Sequence, residues 1–266
     1  VPATELPSVI ESLRREHMLP LKTVVATDER AHLGAFQIRY VFAVPKENIC
    51  IVPMLTVSPV TLEFSSLTAI DHQFATYEED IKTFFGLTPT GRPEAKRIIL
   101  HGENYGADVY PLRKDFAWDT KIVAPTEPVF PTFQEYQGEG VYEIPVGPVH
   151  AGIIEPGHFR FSVLGEEILR LEPRLGYVHK GTEKLFEHLT LEKKLTLAER
   201  ISGDSSYHHA LALAQAGDDG LQRTSRGGDA VALHRARAVH QDLYRERMSR
   251  RRHTRAEARQ HADRAR

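Results

Sequence analysis

Residues 74–89 read FATYEEDIKTFFGLTP. Phe74, Tyr77, Ile81 and Phe84 recur at helical spacing, with Glu78, Glu79 and Lys82 between them. That spacing gathers the apolar side chains on one stripe of a helix and leaves the charges on the other. Gly86 marks the stop, and Pro89 follows soon after. A striped helix needs a layer to pack on, and the preceding sequence supplies one. Leu21–Ala26 is strand-like. Residues 35–44 (AFQIRYVFAV) begin by alternating apolar and polar and are rich in β-branched and aromatic side chains. Ile49–Val57 is a third apolar run, closed by Pro59. Short runs with Gly and Pro punctuation suit an antiparallel sheet. Leu6–Glu16 adds a first helix, with Val9, Ile10 and Leu13 on one side. The expected fold class is α+β, with residues 1–120 as its first domain.

From Gly91 the chain turns polar and irregular, with one apolar triplet at Ile98–Leu100. Pro125, Pro128, Pro131, Gly138 and Gly140 then mark residues 121–140 as an extended linker. A second unit spans 141–216. Tyr142–Val146 is strand-like, and the loop GPVHAGIIEPGH follows. Phe159, Phe161 and Val163 alternate, Gly165-Glu166 offers a turn, and Ile168–Leu171 returns, which is the pattern of a β-hairpin. Three helical segments come next, Gly181–Leu189, Leu191–Ile201 and Ser205–Ala216, the last capped by Asp204 or Ser205.

Composition excludes several classes. The chain has 266 residues, 41% hydrophobic and 26% charged, which is ordinary for a globular protein. No apolar run reaches the roughly 18 residues that span a bilayer. A lone Cys50 supplies neither a disulfide framework nor the ligands of an iron–sulfur cluster or Cys-rich zinc site, and fits a reducing compartment. Val1 is not an initiator Met, so the natural start is expected upstream. The net charge of −2 hides a break: residues 217–266 hold 13 Arg, no Lys and 7 acidic residues, while all ten Lys lie before position 217.

The motifs carry a family resemblance. Residues 76–100 (TYEEDIKTFFGLTPTGRPEAKRIIL) and 110–116 (YPLRKDF) resemble the signature of the thirty-kilodalton-type subunit of respiratory complex I. Gly147-Pro148-Val149-His150, residues 158–161 (HFRF) and residues 176–185 (GYVHKGTEKL) resemble the start of the forty-nine-kilodalton-type subunit, itself related to the large subunit of nickel–iron hydrogenases. Fused in this order, the two modules resemble the large subunits of formate hydrogenlyase, hydrogenase-4 and related complexes. The resemblance covers residues 1–216. It implies a domain like the smaller of these two complex I subunits. The β-rich start and first helices of a domain like the larger one, or like the hydrogenase large subunit, would follow.

One departure bears on chemistry. The hydrogenase relatives ligate nickel and iron through two Cys pairs, the first in Arg-x-Cys-Gly-x-Cys-x-x-x-His. The matching stretch here runs from Arg200 to His209 and has Ser202 and Ser205 at both Cys positions. A neutral hydroxyl is a hard ligand and does not replace a bridging thiolate. The second pair belongs to a C-terminal region beyond the match. The expectation is a chain with no metal centre or cofactor of its own, set beside an iron–sulfur cluster in a neighbouring subunit and a quinone.

Five residues stand out as candidates: His150, Glu155, His158, Arg200 and His209. By resemblance, the loop from His150 to His158 lines a quinone pocket, and Glu155 relays protons. An imidazole titrates near neutral pH and can donate to a quinone oxygen, and a desolvated carboxylate can shuttle protons. A polar interface loop is the competing reading. Arg200 and His209 are remnants of the metal motif, and Arg200 either orients a ligand or forms an ion pair. His208 and His209 point about 100° apart on a helix, which rules out a shared zinc. Arg113, Lys114 and Asp115 read as structural ion pairs and partner contacts, and His179, Lys180 and Glu183 as a packed helix start.

The expected partners are an iron–sulfur subunit and membrane subunits, with no specific nucleic acid, at the cytoplasmic face of the inner membrane and peripheral to it. The expected function is that of a subunit of an NADH-quinone oxidoreductase-like or hydrogenase-like complex, inactive alone; the alternative is a non-catalytic assembly or scaffold protein. Residues 217–266 match nothing in the family. The simultaneous loss of Lys and of the match suits a shifted reading frame better than a selected basic arm. That reading makes the chain a truncated one with a disordered tail.

Overall fold

The computed structural model describes residues 1–47, 49–93 and 97–224, the last seven of these by backbone alone. The tail expected to be disordered lies, over 225–266, outside the described residues. Two compact units emerge, Val1–Gly181 and the chain from Thr182 onward.

The first unit opens with helix α1, Leu6–Glu11, which widens into a π-helical turn over Ser12–Glu16. Strand β1, Leu21–Glu29, runs antiparallel to β2, Ala35–Val44, through the single helical turn α2, Arg30–Leu33. The third apolar run is not one strand. It divides into β3, Ile49–Ile51, and β4, Met54–Val57, which pair with successive parts of β2. Pro53 stands at the division and lacks a ladder N–H, although its carbonyl still accepts from Tyr40 N at 3.0 Å.

The alternation of β2 points Phe36, Ile38, Tyr40 and Phe42 to one face, each no more than 2% exposed. Helix α3, Phe74–Phe85, lays Phe74, Ile81, Phe84 and Phe85 on that face beside Leu6 and Ile10 of α1. Each such large side chain buried contributes about 1.5–3 kcal/mol. Gly86 ends α3 in the left-handed region (φ +68°), and the ring of Tyr110 and the Arg113 guanidinium close over it. A parallel pair, β5 (Glu63–Ser65) and β6 (Thr88–Thr90), flanks α3.

Buried ionic contacts stitch the motifs into this core. Glu78 is 3% exposed and accepts from Leu67 N, Ser66 Oγ, Thr68 Oγ1 and Arg92 Nη1. The YPLRKDF segment returns to the sheet: Arg113 Nε donates to Phe85 O, Lys114 N donates to Asp28, and Asp115 pairs with Arg30. Burial raises the Asp28 carboxyl, but its hydrogen bonds from Arg30 and Lys114 outweigh this and hold its pKa at about 2.

Residues 121–140 carry neither helix nor strand. Beyond them, β7 (Val141–Val146), β8 (His158–Leu164) and β9 (Glu167–Arg174) form a three-stranded antiparallel sheet, so the expected hairpin gains β7 as a third strand. The sheet packs within the first unit. His101 Nε2 donates to Leu175 O at 2.8 Å, and Arg174 pairs with Glu103 at 2.7 Å.

The second unit holds α4 (Thr182–His188), α5 (Leu191–Ala198) and α6 (Ser206–Thr224). Ala198, Ala210 and Ala214 are its buried apolar residues among those described. Helix α6 runs past Ala216 to Thr224, so the helical backbone crosses the point where Lys and the family match both end. Among the described residues no helix is long and apolar enough to cross a membrane.

Candidate functional site

The loop Gly147–Gly157 connects β7 to β8, and a hydrogen bond closes its base. His158 Nδ1 lies 3.1 Å from Gly147 O, and a carbonyl only accepts, so Nδ1 carries the proton and Nε2 is left as an acceptor. His150 has the opposite arrangement. Its Nδ1 accepts from Gly152 N at 3.1 Å, so the neutral ring carries its proton on Nε2. Both Nε2 atoms are buried and lack a hydrogen-bond partner among the described residues. The loop therefore holds one unpaired imidazole donor and one unpaired imidazole acceptor. Between them Ile153, Ile154 and Glu155 are exposed. Glu155 lies in solvent rather than in a desolvated cavity.

Arg200 and His209 belong to the second unit. Arg200, exposed, follows α5, and His209 is half-buried in the first turn of α6. Ser205 O accepts from His209 N at 3.1 Å, as an N-cap carbonyl does. Ser206 Oγ donates to Glu199 O at 2.7 Å. His208 is exposed where His209 is half-buried, as the helical spacing of adjacent residues requires. Ser202 and Ser205 present hydroxyls, and their chemistry does not fit a nickel–iron centre.

Three residues without a role in the sequence reading lie on the same face of this sheet as His158 or against it. Glu143 on β7 pairs with Arg160 on β8 at 2.8 Å. Phe133, from the linker, lies 5.3 Å from the His158 ring, and the Arg160 guanidinium sits 4.3 Å from its centre. Opposite charges on neighbouring strands were a readable signal for the pair; Phe133 gave none. Elsewhere in the first unit, a cleft of about 790 Å³ opens between α3, residues 97–110 and residues 125–132. None of the five candidate residues lines it. Arg97 in its wall donates to the carbonyls of Leu100, Gly106, Ala107 and Val109, and burial lowers its pKa.

Comparison with known proteins gives the same family as the motifs. Residues 1–121 match the model of the family described as "Respiratory-chain NADH dehydrogenase, 30 Kd subunit". The chain is 33% identical over 221 residues to hydrogenase-4 component G of Escherichia coli K12, covering 81% of this chain and 39% of that protein. It is 32% identical over 211 residues to formate hydrogenlyase subunit 5 of the same organism, covering 78% of this chain and 37% of that one. Over 156 residues it is 30% identical to the C/D protein of the NADH-quinone oxidoreductase of Bacteroides thetaiotaomicron, covering 52% and 29% respectively. The chain thus spans less than two fifths of each of these relatives. Residues 1–121 are a domain of the family of this respiratory-chain NADH dehydrogenase subunit, and about four fifths of the chain is homologous to part of hydrogenase-4 component G and formate hydrogenlyase subunit 5, and about half of it to part of an NADH-quinone oxidoreductase C/D protein.

Proposed function

We propose that this chain is a subunit of a membrane-associated electron-transfer complex of the NADH-quinone oxidoreductase or hydrogenase type, without a metal centre of its own. The observation that carries the reading is the loop at His150–His158, attached to the respiratory-chain domain of residues 1–121. Its two unpaired Nε2 atoms fit a quinone headgroup, which has oxygens that accept in one redox state and hydroxyls that donate in the other. A bound quinone would supply the electron-accepting group. The chain's own part is to hold and orient it: His150 Nε2–H donates to an oxygen, and His158 Nε2 accepts from a hydroxyl. Glu155 exchanges protons with solvent at the loop tip. The cluster that feeds electrons sits in a neighbouring iron–sulfur subunit, and the complex lies peripherally on the cytoplasmic face of the inner membrane.

Affinity capture of the full chain from native membranes tests this. Recovery of an iron–sulfur subunit together with membrane subunits is the expected result. Recovery of neither would favour a free-standing assembly role. Elemental analysis is expected to find no nickel, since Ser202 and Ser205 stand at the thiolate positions; about one nickel per chain would overturn the metal-free reading.

A further inference from the structure

The cleft between α3, residues 97–110 and residues 125–132 lies apart from the His150–His158 loop and has no part in the function proposed above. Its volume of about 790 Å³ falls within the range of small-molecule sites, about 300–1,000 Å³. One wall is cationic. Arg97 is half-buried and makes no ion pair among the described residues. Its two terminal nitrogens donate only to carbonyls, with Gly106 O at 2.8 Å and Ala107 O at 3.1 Å. Those carbonyls fix the guanidinium in place, and no carboxylate is bonded to it. Burial lowers its pKa and outweighs the attraction of Asp108.

The other basic side chains of the lining are engaged. Both oxygens of Glu103 hold Arg174, at 2.7 and 2.8 Å. Lys82 has a partner of its own, and His101 Nε2 donates to Leu175 O. Glu127, the acidic residue of the lining, is exposed, so water and salt screen its charge. The wall formed by residues 125–132 is apolar and open. Phe130 is 68% exposed and Val129 72%, although Val129 N donates to Gly102 O at 3.3 Å across the cleft. Tyr105 and Tyr110 also line it, and their hydroxyls make no hydrogen bond among the described residues.

A cation that is fixed but not neutralised, two hydroxyl donors and an uncovered aromatic ring define one class of ligand. We propose that this cleft binds a small anion carrying a planar ring. Its negative group is drawn to Arg97 and accepts from the hydroxyl of Tyr105 or Tyr110, and its ring covers Phe130. A carboxylate, a sulfonate or a phosphate meets the first requirement, since each accepts hydrogen bonds and carries charge. An uncharged ring would meet only the second.

Calorimetric titration of the full chain with naphthalene-1-sulfonate tests this. Saturable binding at a single site is expected. Naphthalene-1-methanol, which keeps the ring and loses the charge, is expected to bind about tenfold more weakly. Arg97→Gln is expected to weaken sulfonate binding by about the same factor, with circular dichroism as the check on its fold. Phe130→Ala alters an exposed side chain and leaves the core intact, and is expected to weaken binding about fivefold. Glu127→Gln removes the like charge and is expected to tighten it about twofold. Ile144→Asp, on the open apolar face of the β7–β9 sheet, is expected to change nothing. Equal affinity for the uncharged compound, or unchanged affinity in Phe130→Ala, would overturn the proposal. So would loss of binding in Ile144→Asp, which would place the probe on that sheet.

Discussion

The two antiparallel sheets of the first unit follow the same alternation and end differently. In the first sheet, Phe36, Ile38, Tyr40 and Phe42 vanish beneath α1 and α3. In the second, Tyr142, Ile144, Ile168 and Leu171 keep between 41% and 57% of their surface exposed. The opposite, charged face of that sheet is the one its own chain covers, through Phe133, Gln134 and Glu103. Apolar alternation therefore marks a face that must be covered, and says nothing about whether the same chain covers it. A sheet with its helices in the same 121 residues is self-sufficient. A sheet that shows its apolar side to solvent leaves that side for something beyond the described residues to cover.

The largest expected contrast comes from truncating each face. Phe36→Ala should cost about 3–5 kcal/mol, because it opens a cavity beneath α3. Chemical denaturation followed by circular dichroism measures it, and a cost under about 1 kcal/mol would mean that the first core is not closed. Next comes Arg92→Ala, expected to destabilise by about 2–3 kcal/mol by removing the cationic partner of the buried Glu78. The same assay reads it, and Arg160→Ala on the second sheet should cost less, since Glu143 is 29% exposed.

Much of the first contrast was legible beforehand. Strand β2 spans the ten residues whose alternation announced it, and α3 stops at the glycine that marked its end. The division at Pro53 went unread because Ile49–Val57 is apolar but for Thr56 and reads as one run, although a proline inside a strand pattern is itself the signal of a break. The β5–β6 pair was hidden for another reason. Two three-residue strands so far apart in the chain have no local signal, and they meet because α3 returns the chain between them. At the candidate site, His150 and His158 were readable by motif. Their opposite tautomers were not, since these depend on which backbone group each Nδ1 meets.

A pH titration sharpens the comparison further. Asp28 has a folded pKa of about 2, below the ordinary value of 3.8. Because that pKa is depressed, its stabilisation is complete above about pH 4 and disappears as pH falls through about 2. The expected loss is about 2 kcal/mol. Asp28→Asn should flatten that part of the stability–pH curve; an unchanged slope would mean that other carboxylates dominate acid unfolding. The smallest effect is expected at the open face. Ile144→Asp should change stability by less than about 0.5 kcal/mol, because the side chain is already 41% exposed. It should nonetheless lower recovery of partner subunits from membranes. Stability loss comparable to Phe36→Ala would show that the face is covered after all.

The base of the Gly147–Gly157 loop has a consequence for how such a protein can vary. A methyl group on Gly147 would run into the carbonyl oxygen of Gly157, so the two ends of the loop lie backbone against backbone. With its ends fixed to each other, the loop imposes nothing on the sheet beyond that contact. Its tip, from Val149 to Glu155, can be lengthened, shortened or rewritten while the strands keep their register. The scaffold and the reactive tip are then separately inheritable parts. One sheet can present different tips, and Gly147 is the residue that must stay for the exchange to work.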